Sequence, residues 1–107
     1  MNAEKSRSQL RKGVLEMCVL RVLSKGEAYT SDITSALQES DLLVVEGTLY
    51  PLLSRLKSAH HCEYRWEESK SGPPRKYYSL TSSGRAHLEN LNAEWQHLVQ
   101  SIEHLTK

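Results

Sequence analysis

A mainly α-helical fold with one small antiparallel β-hairpin and a long C-terminal helix is predicted by three features of this chain. Within Glu46–Ser58, Leu49, Leu52, Leu53 and Leu56 recur at i, i+3, i+4 and i+7, the spacing of one helix face. From Cys62 to Glu67 apolar and charged residues alternate, as in a half-buried strand, and a Gly-Pro-Pro segment leads into a second such run ending at Leu80. Beyond Thr81, Leu88, Leu91, Trp95, Leu98, Ile102 and Leu105 follow one another at 3, 4, 3, 4 and 3 residues, the pattern of a two-helix seam.

The leucine-rich helix carries a second message on its other side. Opposite the leucines stand Gly47, Pro51, Ser54 and Ser58, with Tyr50 and Arg55 on the shoulders and Thr48 in the first turn. Small residues let a helix approach a surface closely. A phenol and a guanidinium beside them supply donors for phosphate oxygens or base edges. The hairpin that follows has Gly72-Pro73-Pro74-Arg75-Lys76 as its expected tip, stiff and basic. A helix with such a face, followed by a basic hairpin, is the arrangement of a winged helix-turn-helix. Thr48, Tyr50, Pro51, Ser54, Arg55, Arg75 and Lys76 are therefore the candidate DNA-contacting residues. A solvated helix face and a solvated turn are the plain alternatives.

EGTLYPLLSRL and WEESKSGPPRKYYSLTSSG resemble the signature of the PadR family of bacterial winged-helix transcriptional regulators, and RKGVLEMCVLRVLSKG resembles the first helix of its short members. The likeness runs from about Leu10 to the end, and GPPRKYYSLT is its most specific part. Two segments depart from the pattern. Tyr29-Thr30-Ser31 stands where a Tyr-Gly pair is usual, and Ala59-His60-His61-Cys62-Glu63-Tyr64 where glycine and apolar residues usually enter the wing. The resemblance implies a DNA-binding regulator, and for some members a dimer-interface pocket for flat aromatic ligands, which here would use Trp95. A core role for Trp95 is the alternative.

Length and charge set the scale. The 107 residues, 38% hydrophobic, predict a single domain with a modest core that dimerisation would complete. Residues 1–80 form the winged helix-turn-helix, with 1–8 as a flexible arm, and 81–107 the dimerisation helix of the same domain. Its expected interface is Leu88, Leu91, Trp95, Leu98, Ile102 and Leu105. A net charge of +1 gives no global basic field, so DNA binding would depend on a local patch. That balance keeps open a protein-interaction adaptor that binds no DNA. Neither a long apolar run nor a signal-peptide core is present, which points to the cytoplasm.

The first helix is expected from about Ser8 to Ser24, apolar on several sides and stopped by Gly26. A second starts at Thr30 or Ser31 under a hydroxyl cap, Asp32 favouring its N-terminus, and ends near Ser40-Asp41. Leu42–Val45 reads as an extended, partly buried connection, and Pro51 threatens an irregular first turn in the helix that follows. In the hairpin, Ser69–Arg75 is the expected loop and Lys76–Leu80 the second strand. His60-His61-Cys62 invites a metal reading, but adjacent residues rarely converge on one ion and no second ligand cluster has a recognised spacing. Cys18 and Cys62 define no disulfide framework, and no phosphate loop or nucleophile motif points to catalysis. No cofactor is expected. The function read from the chain is a homodimeric regulator, a repressor on an inverted-repeat operator.

Overall fold

A computed structural model describes residues 3–42 and 44–107 and shows five helices around a small sheet. The helices are α1 (Ala3–Lys12), α2 (Leu15–Leu23), α3 (Thr30–Glu39), α4 (Glu46–Ser58) and α5 (Ser82–His104). The strands are β1 (Ala28–Tyr29), β2 (Cys62–Ser69) and β3 (Gly72–Leu80), antiparallel in the order β1-β3-β2. Val19, Leu20 and Leu23 of α2, Ile33 and Leu37 of α3, and all four leucines of α4 meet in one core, closed by Cys62, Tyr78 and Leu88. Burying an aliphatic side chain of this kind contributes about 1.5–3 kcal/mol, so these residues fix how the three central helices pack.

The N-terminal region differs from the expected single helix. Helix begins at Ala3 rather than after a loose arm, and breaks at Gly13-Val14. The reason lies in composition: α1 is polar and buries nothing, whereas α2 buries Met17, Val19, Leu20 and Leu23. The two segments satisfy different surroundings, and Gly13, a poor helix former, is where they part. α2 ends at Leu23, with Ser24 as its C-cap; Gly26, at φ +150°, turns the chain two residues later and donates its N–H to Leu23 O (3.2 Å).

α3 begins at Thr30, but neither expected hydroxyl caps it. Asp32 reaches back to accept the Tyr29 N–H (2.9 Å) instead. Tyr29 also lies in β1, a two-residue strand absent from the sequence reading, paired with β3 at Ala28↔Tyr78 and Tyr29↔Tyr77. α3 and α4 end in the same way. Asp41 (φ 59°) and His60 (φ 64°) take the left-handed position after each cap. Leu42 N–H donates to Leu37 O (2.7 Å) and His61 N–H to Leu56 O (2.8 Å), the six-residue closures of Schellman motifs. His60 and His61 are thus a helix stop.

Of the connection before α4, Leu42 and Val44 are half-buried and Val45 is exposed; Leu43 lies outside the described residues. α4 runs unbroken through Pro51, its first turn intact with Thr48 and Leu49 N–H groups both on Val45 O (2.9 and 3.1 Å). Pro51 sits on the exposed side, where water can satisfy the carbonyl that loses its partner.

The hairpin is longer than expected and its tip is elsewhere. Ser69 pairs with Gly72, so the turn is Lys70-Ser71, and Arg75 and Lys76 lie on the strand. A register shift between Glu67 and Ser69 sets Pro73 and Pro74 together against Glu68 alone, so the prolines themselves form the bulge. On the other edge β1 reaches only as far as Tyr77. The prolines therefore sit where no ladder hydrogen bond is lost, which is what makes strand possible there.

Thr81 caps α5 as expected: the Gly84 N–H donates to its Oγ1 (2.9 Å), and its own hydroxyl donates to His60 O (2.6 Å). From Leu88, buried in the core, α5 climbs away from the domain. The radius of gyration is 15.6 Å, against about 13 Å for a compact chain of this length.

Candidate nucleic-acid interface

α4 presents the face that its leucine spacing predicts. Leu49, Leu52, Leu53 and Leu56 are buried, and Gly47, Thr48, Tyr50, Pro51, Ser54, Arg55 and Ser58 are all exposed. On the helix circumference Tyr50 and Arg55 flank the small residues from opposite sides. Tyr50, Ser54 and Lys57 fall at i, i+4 and i+7 and make one row; Thr48, Arg55 and Ser58 belong to the other shoulder. The Tyr50 row is the one beside the sheet. Burial, first, and then Cys62, Tyr64 and Tyr50 push the Tyr78 phenol up from its ordinary value.

The hairpin divides its cations between two faces. Lys76 is paired with Trp66 and points with Cys62, Tyr64 and Tyr78 toward the helices. Its Nζ lies 4.5 Å from the Tyr64 ring centroid and 5.6 Å from that of Trp66. Lys57, at the end of α4, brings a second ammonium to 5.3 Å from the same Tyr64 ring. Arg75 belongs to the other face, stacked 3.9 Å over Tyr29, which itself stacks on Tyr77 with centroids 4.5 Å apart. Arg65 shares that face and is held by Glu27 (3.1 Å) and Glu67, whose hydrogen bonds raise its pKa. Neighbours in sequence, Arg75 and Lys76 are thus separated by the thickness of the sheet.

Trp66 departs from the expected half-buried pattern: it is 61% exposed, because the strand has run past the helices that cover Cys62 and Tyr64. It packs edge-on against Tyr64 (5.9 Å, 87°). Lys57 and Trp66 lie outside the site residues expected from the sequence. Lys57 was legible as the third member of the Tyr50-Ser54 row; the exposure of Trp66 had no signal in the alternation itself.

Near the start of α4, Arg7, Arg11 and Lys12 of α1 line a groove of about 510 Å³ that reaches Val45 and Thr48. The C-terminal seam is uncovered over most of its length. Leu88 is spent in the core and Leu91 half-buried, but Trp95, Leu98, Ile102 and Leu105 are 39%, 50%, 56% and 81% exposed. Trp95 and Leu98 also line a smaller cavity of about 220 Å³ with Gly13, Met17 and Leu91.

The remaining polar clusters are structural. His61 stacks on His87 (4.1 Å, 8°) and meets Ser83 Oγ (3.2 Å), while His87 lies 3.6 Å from Glu16. Among the described residues no three His, Cys, Asp or Glu side chains converge as metal ligands, and no helix is long and apolar enough to cross a membrane. Burial pushes the Cys62 thiol up to about 11, leaving it a protonated, unreactive packing group near neutral pH. Burial raises Cys18 as well.

Residues 19–90 match the family described as "Transcriptional regulator PadR-like family". The chain belongs to the PadR-like family of transcriptional regulators. Two solved relatives share both length and shape. A PadR-like transcription factor from Bacteroides fragilis is 50% identical, with 94% of this chain and 98% of that one covered and a TM-score of 0.80. A PadR family transcriptional regulator from Eggerthella lenta is 32% identical, over 97% and 91% of the two chains, with a TM-score of 0.90. PadR of Bacillus subtilis, solved in complex with operator DNA, is 30% identical, with a TM-score of 0.68; the match covers 73% of this chain but 46% of that longer one. The PadR-like winged-helix fold and a regulatory rather than an enzymatic family are thereby established for this chain.

Proposed function

We propose that this PadR-like protein is a homodimeric repressor that binds an inverted-repeat operator and occludes a promoter. The observation that carries the reading is the exposed face of α4, where every leucine turns inward and small residues flanked by Tyr50 and Arg55 remain outside. Two such helices related by a two-fold axis would enter successive major grooves. Thr48, Pro51 and Ser54 allow close approach, Arg55 reaches a guanine or a phosphate, and Tyr50 a phosphate. The hairpin, standing edge-on to the duplex, would offer Arg75 to one backbone strand and Lys76 to the other. The Bacillus subtilis relative solved in complex with operator DNA supports DNA binding.

Dimerisation would come from α5, through Leu91, Trp95, Leu98, Ile102 and Leu105, with Leu88 anchoring the helix to its own core. An uncovered apolar seam on a chain too extended for its length supports it. A flat aromatic effector would use the cavity beside Trp95. In this reading residues 1–80 bind DNA, 81–107 hold the dimer, and the protein works in the cytoplasm.

Selection of bound sequences from a random duplex pool tests the proposal and should return an inverted repeat. The near-neutral charge of +1 is the observation behind the second reading, a protein-interaction adaptor. Fluorescence polarisation against random duplex at low salt separates the two, because an adaptor would bind neither random nor selected DNA.

A further inference from the structure

We infer that Trp66, with Lys57 and Lys76, forms a second contact strip for duplex DNA, laid on the sugar–phosphate backbone beside the groove that α4 enters. This rests on the DNA-binding reading above and adds to it a surface made by two elements. Trp66 is an indole left 61% exposed, edge-on to Tyr64, on the same sheet face as the buried Cys62 and Tyr78. Two ammonium groups from different elements converge on that aromatic pair: Lys57 5.3 Å from the Tyr64 centroid, Lys76 4.5 Å from Tyr64 and 5.6 Å from Trp66.

The opposite sheet face is differently equipped. There Arg65 is already held by Glu27 and Glu67. Among the described residues neither Lys57 nor Lys76 is in an ion pair. An ammonium resting on an aromatic face keeps N–H donors directed outward, available to a phosphate. The flat apolar indole beside them fits the C–H face of a deoxyribose. Such alternation of cations and aromatics suits a sugar–phosphate chain, since neither component needs a particular base.

The strip is also continuous with α4. Tyr50, Ser54 and Lys57 form the row on the sheet side of the helix, and Lys57 leads through Tyr64 to Lys76 and Trp66. A backbone following that row would pass onto Trp66 without leaving the protein surface.

Acrylamide quenching of the intact protein, free and saturated with labelled random-sequence duplex, tests the inference. The difference between wild type and W66F isolates the Trp66 emission from that of Trp95. Trp66 should be accessible in the free protein and shielded in the complex. W66A should weaken binding on the order of tenfold, the size of one aromatic–nucleotide contact, for random and selected duplex alike. Because the lost contact is uncharged, its salt slope should match wild type, whereas K57A and K76A should each lower the slope by about 0.9 per subunit. W66F retains the aromatic face and should bind near wild type; if W66A folds poorly, the quenching difference, which needs only wild type and W66F, decides the matter. Trp66 still open to quencher in a saturated complex overturns the inference, as does W66A binding like wild type, and DNA binding itself would stand. A wild-type protein that binds no duplex at low salt overturns both readings, and Trp66 shielded only by an acidic protein would point to the adaptor.

Discussion

Gly84 lies directly against the backbone of His61. A β-carbon on Gly84 would overlap the His61 carbonyl oxygen and stand 2.9 Å from its carbonyl carbon and from Leu80 Cδ1. The first turn of α5 is seated on the end of α4 through backbone, an arrangement that Thr81 fastens by donating to His60 O and accepting from Gly84 N. Gly84→Ala should therefore cost about 1–3 kcal/mol, the usual penalty for overpacking, or tilt α5 away from the domain. Thermal unfolding reads the first effect. An unchanged melting temperature would mean that α5 does not rest on His61.

His60 holds a left-handed backbone without being glycine. His60→Gly should raise stability by up to about 1 kcal/mol, and Asp41→Gly by less, since aspartate tolerates that region better. His60→Ala should give no gain. Denaturant midpoints of the three variants check this, and a stabilising alanine would show that the left-handed backbone is not the cause.

Leu98→Glu would put a charge in the exposed seam of α5 and should give monomers or insoluble protein. A well-folded variant of unchanged mass by light scattering would remove Leu98 from the dimer contact.

Arg75 and Lys76, on opposite sheet faces, should separate under substitution. Lys76→Ala should lower affinity for all duplexes and reduce the slope of log K against log salt by about 0.9 per subunit contact. Arg75→Ala should do the same if the hairpin stands between two backbone strands. It should also lower the melting temperature, because the guanidinium over Tyr29 helps hold β1 to β3. An Arg75 variant with a wild-type slope and a lowered melting temperature would make that residue a structural one.

Arg55→Ala should cost about 1–3 kcal/mol and relax preference at one operator position if Arg55 reads a base. Equal loss on selected and random duplex would make it a phosphate clamp. Wild-type affinity for both would exclude it from the interface.

Local pattern was enough where one stretch of chain satisfies its own geometry. The four inward leucines fix α4 at Glu46–Ser58, and the Thr81 hydroxyl starts α5, because helix periodicity and capping act within a turn or two. The exposed small-residue face of α4 followed from the same periodicity. What needed the tertiary structure was decided between segments distant in sequence. β1 is strand only because β3 lies beside it, and Gly13 ends a helix only because α1 and α2 face different surroundings. Pro73 and Pro74 read as a turn until the bulge and the short β1 removed any demand on their missing donors. The strand at Arg75 and Lys76 that sends them to opposite faces, the exposure of Trp66 and the approach of Lys57 to Tyr64 depend on how far each strand outruns the core. No residue carries that distance in its own side chain; packing sets it.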